Sequence, residues 1–173
     1  MDVVSLKECH AFFSSIENMA NDEEDTRVSH IHDDVWIGGE DAAKDKELIL
    51  AIREDKQVPV TVINCAREIP NYFEGDPDIQ YVRLNMNDAN DLLIEHAPMV
   101  KEAIQRGYPT LVHCFMGMSR SCAIVIQYLM GDPLNYTADT AWALVKKRRP
   151  GASLNWFYCN QLGLPLPATS NWY

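Results

Sequence analysis

The 173-residue chain has no long apolar run. Its most apolar stretch, Ala123-Ile124-Val125-Ile126-Gln127-Tyr128-Leu129-Met130, is far below the roughly 18 residues that a membrane helix needs. The start, Met1-Asp2-Val3-Val4-Ser5-Leu6-Lys7, lacks the basic region that leads into the apolar core of a signal peptide. Position 2 is not Gly and the end, Ser170-Asn171-Trp172-Tyr173, has no Cys, so neither common lipidation signal is present. Cysteine is scarce: five residues, odd in number, with no C-x-x-C, which argues against a disulfide framework and against a zinc site. A soluble protein of a reducing, cytoplasmic compartment is the expectation. Positive charge is also short, 15 Lys and Arg against 25 Asp and Glu, for a formal net charge of −10. Such a field repels nucleic acid and anionic membrane, so neither is expected as a partner. A phosphate-bearing substrate must then be held by a local site.

What is present is the composition of an ordinary globule, 47% hydrophobic and 23% charged, at about one domain's length. Val4, Leu6, Cys9, Phe12, Phe13 and Ile16 roughly follow helical spacing, which predicts an amphipathic helix over residues 1–20. The acidic run Asn21-Asp22-Glu23-Glu24-Asp25 reads as a solvated connector, so residues 1–26 stand apart from a domain over 27–165 and a tail over 166–173. The helix's apolar stripe is expected to dock on the domain, or on its copy in a homodimer. Val28–Ile31 and Val35–Gly39 flank Asp33-Asp34 as a hairpin, followed by a helix over 40–55. Strands over 58–65, 79–84 and 110–113 alternate with helices over 91–106, 120–131, 135–149 and 153–163. This alternation predicts an α/β fold: a mostly parallel central sheet of about five strands flanked by helices, with ligands at the strands' carboxyl ends.

The strand ending at Val112 runs into His113-Cys114-Phe115-Met116-Gly117-Met118-Ser119-Arg120-Ser121 and then a helix. A loop closing onto a helix N-terminus points its backbone N–H groups at an anion, and the helix dipole reinforces them. Gly117 permits close backbone approach, and the Arg120 fork suits two phosphate oxygens. A thiol at the base of such a positive field ionises readily, which makes Cys114 a thiolate nucleophile. Bare Cys-x5-Arg spacing occurs by chance in about one chain in four of this composition, but the added His, Gly and two Ser make a signature.

This stretch resembles the signature loop of the cysteine-dependent dual-specificity protein phosphatases, of the small, atypical type. Val35-Trp36-Ile37-Gly38 is similar to that family's early strand and Val62 to Glu68 to the strand ending beside the loop. Arg148-Arg149-Pro150, Asn155, Phe157 and Gln161-Leu162 resemble its closing helix. The resemblance implies a protein tyrosine phosphatase-like fold and two-step phosphoryl transfer through a phosphocysteine, with no metal or organic cofactor. It makes Cys114 the nucleophile and Phe115, Met116, Gly117, Met118, Ser119 and Arg120 the phosphate binders, with Ser119 bracing the loop. His113 orients the loop from behind, and the Ser121 hydroxyl bonds the departing thiolate. Asp88, after the 79–84 strand, matches the general acid and later base; Asp91 is the alternative, read otherwise as a helix cap. Cys65 ends the strand that the family pattern puts beside the loop, which makes it a redox partner of Cys114, with Cys122 its rival.

The expected substrate is a phosphorylated protein, at phosphotyrosine and at phosphoserine or phosphothreonine, since no long insertion would build tall cleft walls. A phosphoinositide or RNA 5′-phosphatase is the alternative within the same chemistry. Phe115, Met116 and Met118 give the loop no lysine for extra phosphates. A catalytically silent phosphoprotein-binding module is the alternative outside it, and intact Cys114, Arg120 and Asp88 argue against it. Lys146-Lys147-Arg148-Arg149 reads as cations complementing a helix dipole, or as a nuclear address. The Trp residues read as packing, and His10, His30, His32 and His96 lack a metal-ligand pattern, so no metal is expected.

Overall fold

The computed structural model describes residues 27–54, 56–88 and 91–167. The helix expected over 1–20, its acidic connector and the last six residues lie outside them. Five strands form one sheet: β1 (Val28–His32), β2 (Val35–Gly38), β3 (Val60–Ala66), β4 (Ile79–Met86) and β5 (Thr110–His113). Their order is β1-β2-β5-β3-β4. Only the β1–β2 hairpin is antiparallel; β2 and β3 both run parallel to β5, and β4 runs parallel to β3. The hairpin reverses at Asp33, whose φ of 43° is the left-handed conformation that Asp tolerates.

β3 and β5 are buried at every position, as expected of central parallel strands covered on both faces. The period-2 alternation divides their side chains between two cores. Val60, Val62 and Leu111 pack with Ile49 and Ile52 on one face. Ile63, Cys65, Val112 and Cys114 join the larger core on the other, under the helices α3 (Leu93–Gln105), α4 (Arg120–Met130), α5 (Ala138–Arg148) and α6 (Trp156–Leu162). α4 is the central helix, buried from Arg120 through Ile126 and again at Leu129. Truncating one of its large aliphatic side chains to Ala would cost about 2–5 kcal/mol.

The single helix expected over 40–55 is two short ones, α1 (Glu40–Ala43) and α2 (Lys46–Ala51). The break is at Asp45, which is extended and whose carboxylate accepts from Leu48 N, starting a new helix rather than continuing the old. Register sets the site. Gly38 of β2 and Asn64 of β3 both pair with His113 of β5, so β2 and β5 end level while β3 runs on to Ala66, and Cys65 and Cys114 are the next residues along.

Candidate active site

Everything that the loop after β5 does follows from where its carbonyls point. Phe115 O accepts from Glu40 N at 2.8 Å. Met116 O and Gly117 O accept from Arg149, at 3.3 and 2.5 Å. Cys122 Sγ also donates to Gly117 O, at 3.5 Å. With the carbonyls drawn to the outside, no backbone carbonyl among the described residues accepts from the N–H groups of Phe115, Met116, Gly117, Met118 or Ser119. Gly117 has φ +67°, and a Cβ there would fall 2.5 Å from both Arg149 Nη2 and Gly38 O, so only glycine fits.

The loop closes around Cys114, which is 3% exposed. Its Sγ lies 3.3 Å from Ser121 Oγ in the first turn of α4. Behind it, His113 is buried with Nδ1 3.4 Å from Cys114 O. Burial pushes the His113 pKa down to about 4, so the ring is neutral at pH 7, and a carbonyl partner requires that Nδ1 carry the proton. Burial raises the Cys65 thiol well above its ordinary value, with the nearby Cys114 adding to it, and pushes Cys122 up to about 12. Cys65 and Cys122 are therefore protonated at neutral pH.

A cavity of about 350 Å³ is lined by Cys114, Ser119 and Arg120 together with the carboxylates of Asp88 and Glu68. Phe115, Met116 and Met118 form the apolar side, Phe115 and Met116 more than half exposed. Two polar atoms of this cavity are buried without a hydrogen-bond partner, Ser119 Oγ and Arg120 Nε. Against the expectation that Ser119 braces the loop, its hydroxyl has no hydrogen-bond partner among the described residues, and it is the Ser119 carbonyl that accepts from Ala123 N in starting α4. Unsatisfied buried donors are costly, and a tetrahedral oxyanion would satisfy both, along with the loop amides.

Asp88 follows β4, with its side chain 64% exposed and Oδ1 3.6 Å from Arg120 Nε. The loop that carries it is tied to α6. Asn155 Nδ2 donates to Asp88 O at 2.5 Å and Tyr158 OH to Asn87 O at 3.0 Å. Asp91 lies outside the cavity's lining. It does not cap α3 either, whose N-cap is Leu92. Its carboxylate accepts from Asn87 N at 2.5 Å, and its carbonyl accepts from Gln161 Nε2 at 3.0 Å.

Residues that sequence reasoning gave no role in the site are therefore Glu68, Arg149, Asn155 and Tyr158. Arg149 looked like the end of a basic run, yet it is 5% exposed and also donates to Ser29 Oγ and Ile37 O. Lys146, from the same run, donates to Pro150 O and Ala152 O beyond the end of α5. Lys147 and Arg148 are exposed, as is Lys146.

The family model described as the dual specificity phosphatase catalytic domain matches residues 42–164, from α1 to the end of α6. The chain belongs to the dual specificity phosphatase family. The family includes the dual specificity protein phosphatase Mpk3 of Drosophila melanogaster, 34% identical over 107 residues. The human protein phosphatase Slingshot homolog 2 is 35% identical over 104 residues. Each match covers 58% of this chain but only 26% and 7% of those relatives, so the chain spans a small part of their length. Among solved structures, a mouse protein of the dual specificity phosphatase type, complexed with zinc tungstate, superposes with a TM-score of 0.69 at 28% identity. That likeness covers 82% of this chain and 87% of the mouse chain.

Proposed function

We propose that this dual specificity phosphatase domain hydrolyses phosphate esters on protein side chains, at phosphotyrosine and at phosphoserine or phosphothreonine, through a phosphocysteine. The observation that carries the reading is the cradle over Cys114: loop amides that no backbone carbonyl among the described residues accepts from, with Ser119 Oγ and Arg120 Nε likewise lacking a hydrogen-bond partner among them. In the first step the Cys114 thiolate attacks phosphorus and the ester P–O bond breaks, while Asp88 gives its proton to the leaving oxygen. In the second, Asp88 takes a proton from the attacking water, the S–P bond breaks and the Ser121 hydroxyl, at 3.3 Å, donates to the departing thiolate. The loop amides and Arg120 hold the equatorial oxygens throughout. The tungstate named with the mouse relative is a tetrahedral oxyanion of the same kind.

The apolar lining residues Phe115, Met116 and Met118, the carboxylates of Glu68 and Asp88 beside Arg120, and the net charge of −10 favour a protein substrate over a polyphosphorylated lipid or an RNA end. Hydrolysis of a small aryl phosphate by wild type and Cys114→Ser, followed by phosphopeptides and phosphoinositides, tests the reading. Turnover by wild type alone, with phosphopeptides preferred, supports it. An inert wild type that still binds phosphopeptides replaces it with a silent binding module. Fractionation of cells would assign the chain to cytoplasm or nucleus, and light scattering before and after deletion of residues 1–20 would show whether that segment makes a dimer.

The same site supports a redox role for Cys65. Paired parallel strands run about 4.8 Å apart, inside the Cα separation that a disulfide needs, and Cys65 and Cys114 follow a register pair into one core. Peroxide would oxidise the Cys114 thiolate to a sulfenic acid, releasing hydroxide. Attack by the Cys65 sulfur would form the S–S bond and release water. Mass spectrometry after mild peroxide should find a Cys65–Cys114 peptide. Full recovery of Cys65→Ser by reductant after prolonged peroxide would remove Cys65 from that role.

A further inference from the structure

Arg120 has the most enclosed charge in the cavity, its side chain 6% exposed, yet the carboxylate that binds it is half exposed. Glu68 Oε2 accepts from Arg120 Nη1 at 2.8 Å and Glu68 Oε1 from Nη2 at 2.5 Å, a bidentate contact along the outer edge of the guanidinium. Nη1 also donates to Met86 O at 3.2 Å. These bonds leave Nε on the inner edge, unbonded, with Asp88 Oδ1 3.6 Å away. A guanidinium is a planar fork of five donors, so a carboxylate seated on its two ends fixes the plane of the rest.

We propose that Glu68 is a positioning residue for phosphoryl transfer, holding Arg120 by its outer edge so that Nε and the remaining N–H groups meet the phosphate oxygens. The inference rests on the phosphatase reading of the site. A residue that competed with phosphate would sit on the inner edge; Glu68 bonds the outer one. Loop amides suffice to hold a phosphate in the ground state, whereas the transferring phosphoryl group needs the fork aligned with its spreading oxygens. Loss of Glu68 should therefore appear in kcat rather than KM.

The test uses the full chain, a small aryl phosphate, and the substitutions Glu68→Gln and Glu68→Asp, with thermal melting in parallel. Glu68→Gln should lower kcat about tenfold or more with KM unchanged or reduced, and Glu68→Asp, which keeps the charge, should recover part of the loss. In an Arg120→Lys background, where there is no fork to align, Glu68→Gln should cost less than about threefold. This arm reads the assignment even if one substitution lowers the melting temperature, because a general loss of folding would carry over into both backgrounds. Wild-type or raised kcat in Glu68→Gln, or an equal loss in both backgrounds, would overturn the assignment while leaving the phosphatase reading intact. An inert wild type would overturn both.

Discussion

The loop after β5, the proposed phosphate loop, and the loop after β4, the proposed acid loop, line one cavity and are held in opposite ways. The phosphate loop is locked from behind by buried groups: Arg149 on two of its carbonyls, Glu40 N on a third, and Gly38 packed where any side chain at 117 would have to go. In the acid loop Asp88 stands in solvent, 64% exposed, and the backbone at Asn87 and Asp88 is tied from the side by Asn155 and Tyr158 of a helix contributed near the end of the fold. The difference matches the two tasks. A cradle for a dianion works by presenting fixed dipoles, and any reorganisation during the reaction would weaken it. A group that must donate a proton and then accept one from water needs access as well as placement. Substitutions in the first loop should thus remove folding and activity together, and those in the second activity alone.

Gly117→Ala should give the largest combined effect. Forcing a Cβ to 2.5 Å from Arg149 and Gly38 should cost on the order of 3 kcal/mol in a denaturant titration and about 100-fold or more in kcat/KM. Asp88→Asn should lower kcat/KM by about 100-fold or more for substrates with poor leaving groups, flatten the alkaline limb of their pH–rate profile, and leave kcat/KM for good leaving groups nearly untouched while slowing breakdown of the phosphocysteine, with unchanged melting. If Asp91→Asn does this instead, the acid is Asp91. Tyr158→Phe removes one bond to the acid loop, at Asn87 O, and should reduce kcat for poor leaving groups by about tenfold or less while the phosphate loop keeps its affinity for inorganic phosphate. An equal effect on phosphate binding would erase the distinction between the loops.

The contrast also explains what could be seen in the sequence. Cys114 to Ser121 is one contiguous stretch whose geometry is local, a strand end, a glycine turn and a helix start, so residue types at fixed spacing were enough. Its supports are long-range: Arg149 lies 32 residues from Gly117, Glu68 52 from Arg120 and Asn155 67 from Asp88. Nothing in a run such as Lys146 to Arg149 distinguishes a cation that ends a helix in solvent from one that turns inward to bind carbonyls. The hairpin and the later strands and helices were legible because turn residues and apolar periodicity agree there. The helix over 40–55 was misread because Asp45 can sit within a helix or cap a new one, and its bond to Leu48 N decides for the cap.

One further effect concerns stability rather than rate. His113 has its pKa depressed from 6.5 to about 4 by burial, so between these values the unfolded chain binds more protons than the folded one. Stability should be intact above about pH 6.5 and fall as pH drops toward 4, by about 2 kcal/mol at pH 5 from this residue. Denaturant titrations at pH 5 and 7.5 on wild type and His113→Gln would measure it, the variant showing the shallower dependence.

The central claim, that Cys114 takes the phosphoryl group within a preformed cradle, is tested most directly by trapping the intermediate. An aryl phosphate with a good leaving group, mixed with Asp88→Asn and quenched in acid within one turnover, should leave a single phosphoryl group on the peptide containing Cys114. The Cys114→Ser protein should show neither label nor turnover. Hydrolysis that proceeds without phosphate on Cys114, or survives in Cys114→Ser, would contradict the account.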